Sequence, residues 1–323
     1  MNRRLLLLTA AAVAVLILAP LAGRAWIPPA AVFDPAVQPG HAIFWDLRVA
    51  RVLMAFTAGA ALAICGMAFQ AMFRNPLAEP FTLGVSSGAA FGAALALAAG
   101  WTLTIAGVPA VSFCAFVGAV LAMLTVYTLA RMRREFATLT LLLAGVAVNF
   151  FFASLVLLLQ YFAGFVDSQL IIIWLMGGLS VTGFGPFWDA LPFFAAGTLI
   201  IMLLRNELNL LSMGEETAVA RGVEADQVRK LLFFATSLTV GGIVAVTGPI
   251  GFVGMMVPHM ARRIVGADHR RLGPACILLG GAFLVACDTI GRTVHAGVEI
   301  PVGVITALLG GPFFLWLLLR GEV

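Results

Sequence analysis

An all-α, polytopic membrane protein with about ten transmembrane helices is the fold class that this sequence predicts. Three observations predict it. Of the 323 residues, 62% are hydrophobic and only 11% are charged, against about 25% charged in soluble domains. The mean hydropathy is +1.07. Apolar runs long enough to cross a bilayer alternate with short charged turns. All or nearly all of the chain is therefore expected in the lipid bilayer, as a single transmembrane domain over residues 1–323.

The first apolar run, Leu5–Gly23, follows a basic start and ends in small residues near Ala22 and Ala25. That pattern also fits a signal peptide. The run is long enough to span, and it is taken as span 1, starting in the cytoplasm. Arg24–Leu47 holds Pro28, Pro29, Pro35 and Pro39 and reads as an aqueous segment. Span 2 is about Arg48–Phe73. From Pro80 to Ala130 there is no Asp, Glu, Lys or Arg, enough chain for spans 3 and 4 with Gly100, Gly107 and Pro109 at the turn between them. Arg131–Glu135 closes span 4, and span 5 is about Thr138–Phe162. Ser168–Trp188 is apolar but broken by Gly177, Gly178, Gly183, Gly185 and Pro186. It reads as a partial or re-entrant helix, tolerable where protein covers it or it lines a cavity. Span 6 is about Phe187–Arg205 and span 7 about Gln227–Thr247. GPIG (Gly248–Gly251) is a turn, and a shorter span 8 reaches about Val265 through Pro258. Spans 9 and 10 are about Leu272–Arg292 and Val302–Arg320.

Charge tests this count. With ten spans both termini lie on one side, and 15 of the 19 Lys and Arg fall on that side. Arg24, Arg48, Arg51 and Arg292 are the four on the other. The positive-inside rule then puts both termini in the cytoplasm, and shifting the count by one span breaks the pattern. The net charge of +4 sits in short basic runs between apolar segments, which does not point to a nucleic-acid partner.

One polar island stands out on the cytoplasmic side. Arg205–Lys230 carries nine of the 34 formal charges. Ser212 and Glu215 have capping-box spacing, and Gly222 stands where a glycine stop would end a helix of about Met213 to Arg221. Roughly nine residues are marginal as an isolated helix in water. The island is either a solvated loop or an element that docks on a partner.

No H-E-x-x-H, G-x-S-x-G or Walker pattern is present, so no enzyme constellation is read. His41, His259, His269 and His295 lie far apart. Cys65, Cys114, Cys276 and Cys287 sit in apolar stretches without a C-x-x-C, as small core residues. No metal site and no cofactor is expected. The middles of the spans carry essentially no ionisable groups; Asp288 is the one exception, toward the outer end of span 9. Ion-coupled carriers place such groups at mid-membrane, so a self-powered secondary transporter is disfavoured and the energy source must be external. Small-residue runs, Ala58–Gly66, Gly84–Ala94 and Gly241–Gly254, fit close helix packing or a sliding path equally. Arg48 and Arg51, three apart, share a helical face. With Arg292 they fit either interfacial snorkelling or docking of an acidic partner.

Several long motifs now lie in order: Leu47–Ala89, Leu141–Ala147, Met213–Val223, Gly248–Arg270 and Glu299–Leu318. Together they cover nearly the whole chain, which resembles the FecCD-type permease subunits of ABC importers for cobalamin, haem and ferric siderophores. The resemblance implies the type II ABC importer permease fold in the bacterial inner membrane, with a weak inverted repeat between spans 2–5 and 7–10. It implies a second permease copy, as a homodimer, two ATP-binding subunits beneath, and a periplasmic or surface substrate-binding protein above. The permease itself would carry out no catalysis. Residues 206–226 match the cytoplasmic coupling element, with Ser212, Gly214, Glu215, Glu216, Ala218, Arg221 and Gly222 contacting the ATPase. Arg48, Arg51 and Arg292 match arginines that receive the binding protein. Thr138, Leu139 and Thr140 match the region of the cytoplasmic gate, where Leu139 stands in place of a small polar residue. Frequency in the family favours an iron chelate, a ferric siderophore or haem, as cargo, with cobalamin as the alternative.

Overall fold

The computed structural model describes residues 3–23, 25–105, 107–132, 138–179, 182–295 and 297–319. Arg24, Arg133, Arg134 and Arg320, which enter the charge pattern above, lie outside them. Helix α1 (Arg3–Leu18) continues into a 3₁₀ turn, Ala19–Leu21, matching span 1. The Pro-rich stretch then folds into two short pieces, α2 (Ala30–Phe33) and α3 (Gly40–Ala42). A π-helical stretch, Ile43–Val49, joins α3 to α4 (Ala50–Phe73) without a break, giving one 34-residue helix. Span 2 therefore begins at Gly40 and not at Arg48. The reason is local: Pro39 precedes the first turn, and no proline follows it before Pro76 to stop the helix.

A 3₁₀ turn, Pro80–Leu83, leads to α5 (Val85–Ala98). The predicted glycine-proline turn is a small antiparallel hairpin, β1 (Thr104–Ile105) against β2 (Val108–Pro109), with Thr104 opposite Pro109 and Ile105 opposite Val108. Then come α6 (Ala110–Met132), α7 (Thr138–Phe162), α8 (Phe165–Leu175) and α9 (Gly185–Leu203). The polar island supplies α10 (Arg205–Met213) and α11 (Glu215–Ala220). The chain ends with α12 (Ala225–Thr247), α13 (Val253–Val265), α14 (His269–Thr293) and α15 (Val302–Leu319). Among the described residues, seven helices are long and apolar enough to cross a membrane. Helices α5 and α15 are shorter apolar ones, and α8 is the partial helix expected from its glycines. At 13 residues α13 is about 20 Å long and does not reach across by itself.

Helix α4 is the centre of the bundle. Only Arg51, Leu53 and Phe56 in it escape full burial, and it packs against α9, α12, α13 and α14. Its small residues make this possible. A Cβ on Gly66 would stand 1.8 Å from the carbonyl oxygen of Gly254 in α13, and one on Gly59 would stand 2.2 Å from that of Gly280 in α14. These runs bring backbones into direct contact, the packing reading of the two considered above.

Irregular backbone inside an apolar bundle must find internal partners. Three chain breaks find each other. After α8, Gly178 N–H donates to Thr247 O at the end of α12, and Gly303 N–H at the start of α15 donates to Gly177 O. Pro249 O lies against Gly177 and Gly303, where side chains would not fit. The ends of α8 and α12 and the start of α15 thus meet in one junction.

Candidate functional site

The polar island is two helices, not one. Gly214, at φ 130° and ψ 149°, breaks the chain between α10 and α11. The Ser212 hydroxyl donates back to Asn209 O within α10, and no side chain caps α11. The predicted capping box is therefore absent, because residue 212 still belongs to the preceding helix. The glycine stop is present: Gly222 has φ 81°, Gly222 N–H donates to Val219 O and Val223 N–H to Ala218 O.

Each half of the island is fastened to a different long helix. In α10, Leu208 and Leu211 are buried, and Asn209 Oδ1 accepts from His269 N–H at 2.9 Å and from His269 Nδ1 at 2.7 Å. Asn209 Nδ2 donates to Asp268, the N-cap of α14, and Arg270 Nε donates to Asn206. Asp268 also accepts from Arg270 N–H, and these bonds hold its carboxyl below the usual carboxylate range. In α11, Ala218 is fully buried against Leu211 and Ala225. Glu215 is gripped by Arg229 of α12, through Nη1 at 3.1 Å and through Nη2. That hydrogen bonding holds the Glu215 carboxyl low as well. Ser212, Glu216, Val219, Arg221 and Gly222 stay exposed. Of the residues singled out from the sequence, Glu215 and Ala218 anchor the element, while Ser212, Glu216, Arg221 and Gly222 face outward.

At the opposite end of the bundle, Arg51 and Arg292 gather around Asp288, with Arg48 near Arg292. Arg51 Nε lies 3.0 and 3.1 Å from the two Asp288 oxygens, its Nη2 lies 2.8 Å from Oδ1, and its Nη1 reaches Glu299 at 2.6 Å. Arg292 Nε lies 3.7 Å from Asp288 Oδ2, and Nη2 donates to Ala19 O. Arg48 is buried and donates to the carbonyls of Pro20, Leu21 and Ala25, beneath Gly23, where a Cβ would stand 2.5 Å from the guanidinium. A buried carboxylate is stable only when paired. Asp288 is 1% exposed and has its cations. Arg51 and Arg292 thus form an internal ion cluster with Asp288, and Glu299, 46% exposed, is its open edge.

Thr138 is the first described residue of α7, and its side chain lies outside the described residues. Leu139 is 67% exposed and Thr140 half-buried. Sequence reading missed Asn206, Asn209, Asp288 as a hub, and Glu79. Glu79 lies in the turn after α4 and accepts a hydrogen bond from the backbone of Phe252, whose φ of 68° starts α13; burial pushes its carboxyl up to about 7. Among the described residues no group of three His, Cys, Asp or Glu is placed to hold a metal ion.

Comparisons with known proteins agree with this architecture. A model of the FecCD transport family matches residues 10–320. The cobalamin import system permease protein BtuC of Halobacterium salinarum is 42% identical over 88% of this chain and 76% of its own length. The vitamin B12 import system permease protein BtuC of Escherichia coli O139:H28 is 38% identical over 98% of this chain and 95% of its own. Among solved structures, an inward-facing metal-chelate type ABC transporter superposes with a TM-score of 0.87 at 31% identity, covering 98% of both chains.

Proposed function

Because the chain belongs to the FecCD transport family and is a multi-pass permease of an ABC importer, we propose that it forms the inner-membrane pathway for a cobalamin-type metal chelate. The observation that carries the cargo is the pair of cobalamin and vitamin B12 permeases aligned over most of the chain. The iron chelate expected from family frequency is the second reading, favoured by the similarity to a metal-chelate type transporter.

The arrangement supports a division of labour in which both termini and the polar island are cytoplasmic. Two ATPase subunits sit beneath a permease pair, and each docks on the outward face of α10–α11: Ser212, Glu216, Arg221 and Gly222. Gly214 is the joint between the halves. Force on α11 passes through Glu215–Arg229 into α12, a continuous helix of 23 residues, about 35 Å long. The far end of α12 is the junction with α8 and α15. Force on α10 passes through Asn209 into α14, whose other end carries Asp288 and Arg292. Thr138, Leu139 and Thr140, at the cytoplasmic start of α7, meet their counterparts in the second copy at the gate. A periplasmic or surface binding protein presents acidic side chains to the outer corner of Arg48, Arg51 and Arg292. Of the three, Arg51 is the most accessible, and Glu299 covers it.

The test is uptake by proteoliposomes holding the permease, its ATPase and its binding protein. Cyanocobalamin should accumulate and a ferric siderophore should not. The reverse result selects the second reading. Uptake that follows a proton gradient without ATP contradicts both and favours a self-powered carrier.

A further inference from the structure

A cavity of about 290 Å³ opens at the basic end of the bundle, between the ends of α4, α10 and α13 and the start of α14. Arg74, Arg262 and His269 line it, with Gln70 and Ser212. Its cations lack carboxylate partners. No ion pair is formed by Arg74 or Arg262 among the described residues, and the one side-chain partner of Arg262 is the Gln70 carbonyl, at 3.0 Å from Nη2.

His269 adds a second, independent feature. It is 3% exposed, and its Nε2 has no hydrogen-bond partner. Its tautomer follows from the network. Asn209 Oδ1 already accepts from His269 N–H, while Asn209 Nδ2 donates to Asp268, so Nδ1 must be the ring donor to Asn209. Nε2 is then a lone pair, buried and unsatisfied, a costly state for a polar atom. The cavity wall holds two guanidinium groups suited to an anion and the His269 ring, whose buried Nε2 is an acceptor still without a donor.

We infer that this cavity binds a phosphate ester that carries a free hydroxyl, with the phosphate on Arg74 and Arg262 and the hydroxyl donating to His269 Nε2. Guanidinium forks suit phosphate oxygens, and basic pockets between helices at the membrane surface take lipid headgroups. Phosphatidylglycerol carries both groups, and so does free glycerol phosphate. Of the outward face of α10–α11 the site shares only Ser212, and it does not depend on the cargo.

The full-length permease, stripped of lipid in detergent, is titrated with three probes: phosphatidylglycerol, phosphatidylmethanol, which has the same charge and no hydroxyl, and free glycerol phosphate. Native mass spectrometry reads the lipids and calorimetry the free ester. The wild type should bind phosphatidylglycerol more tightly than phosphatidylmethanol. Arg74→Gln, at an exposed position, and Arg262→Gln should each weaken it by about tenfold. His269→Phe should remove the preference between the two lipids. Free glycerol phosphate binding as tightly as the lipid supports the site with a soluble occupant; binding of the lipid alone supports it with a membrane one. Failure of the wild type to bind any probe overturns the inference. So does equal binding of phosphatidylglycerol by wild type and a folded Arg74→Gln variant, whatever the other two variants do.

Discussion

Arg229 grips Glu215 with two nitrogens, and by that contact the shortest helix of the polar island, α11, is tied to the long helix α12. The cation is buried and the carboxylate is half exposed. A partner pressing on α11 therefore presses on a helix that runs the depth of the bundle.

Removing this tie should loosen α11 without unfolding the bundle. Arg229→Leu should raise amide exchange across 214–223 and reduce the uptake gained per ATP hydrolysed, while hydrolysis itself continues. The pH dependence has a definite sign. The Glu215 carboxyl is held below its ordinary value, so the tie is in force above the ordinary Glu range, near pH 4.3, and is lost as pH falls through the lowered folded value. Amide protection of α11 should fall on acidification in the wild type and be insensitive in Glu215→Gln. Equal protection in wild type and both variants contradicts the anchoring role.

The ion cluster around Asp288 predicts unequal costs for its two carboxylates. Asp288→Ala leaves Arg51 and Arg292 facing each other in a buried site and should cost about 3–5 kcal/mol. Glu299→Gln, at the open edge, should cost about 0–1 kcal/mol. Thermal melts of the two variants in one detergent measure the difference. If Glu299 covers Arg51 against the binding protein, the same Glu299→Gln variant should also capture that protein more tightly at low salt.

Close packing of α4 against α13 predicts that Gly66→Ala destabilises, because its Cβ would fall 1.8 Å from Gly254 O. Overpacking of this kind costs about 1–3 kcal/mol or more. Gly251→Ala, with nothing within 4 Å of the added Cβ, should melt close to the wild type. Similar losses in the two variants contradict the contact.

Glu79 predicts a second pH effect of opposite sign to that of Glu215. Its carboxyl is raised to about 7 by burial. The stability it contributes is full below the ordinary value near 4.3 and is lost as pH rises toward 7 and beyond. The wild-type melting temperature should therefore drop between about pH 5 and 8, and Glu79→Gln should flatten that part of the profile.

Much of this architecture was legible because bilayer length and charge bias act on every span. Helix α7 ends at the predicted Phe162, and the glycines after Leu175 mark a real break. What stayed hidden depends on contacts far apart in sequence. Arg51 read as a surface cation because its partner carboxylate Asp288 lies 237 residues away, and Arg48 because the carbonyls it meets lie 23–28 residues before it. The Ser212–Glu215 spacing looked like a cap, yet Gly214 turns the chain between them and leaves Ser212 in the helix before. The central place of α4 was equally hidden, since every span is apolar and only the density of small residues in Ala58–Gly66 hinted at backbone contact. Of the site, the exposed residues of α11 were visible as charge, and the Asn206 and Asn209 bonds beneath them were not.

The central claim is that an ATPase drives this permease through α10–α11. The direct measurement is simultaneous ATP hydrolysis and cobalamin uptake in proteoliposomes containing the complete importer, with Val219→Glu compared with the wild type. Val219 is 57% exposed on α11 and makes no contribution to the Glu215–Arg229 tie. The account predicts that the variant assembles in the membrane but loses both ATPase association and ATP-dependent uptake. Wild-type uptake per ATP in that variant would contradict it.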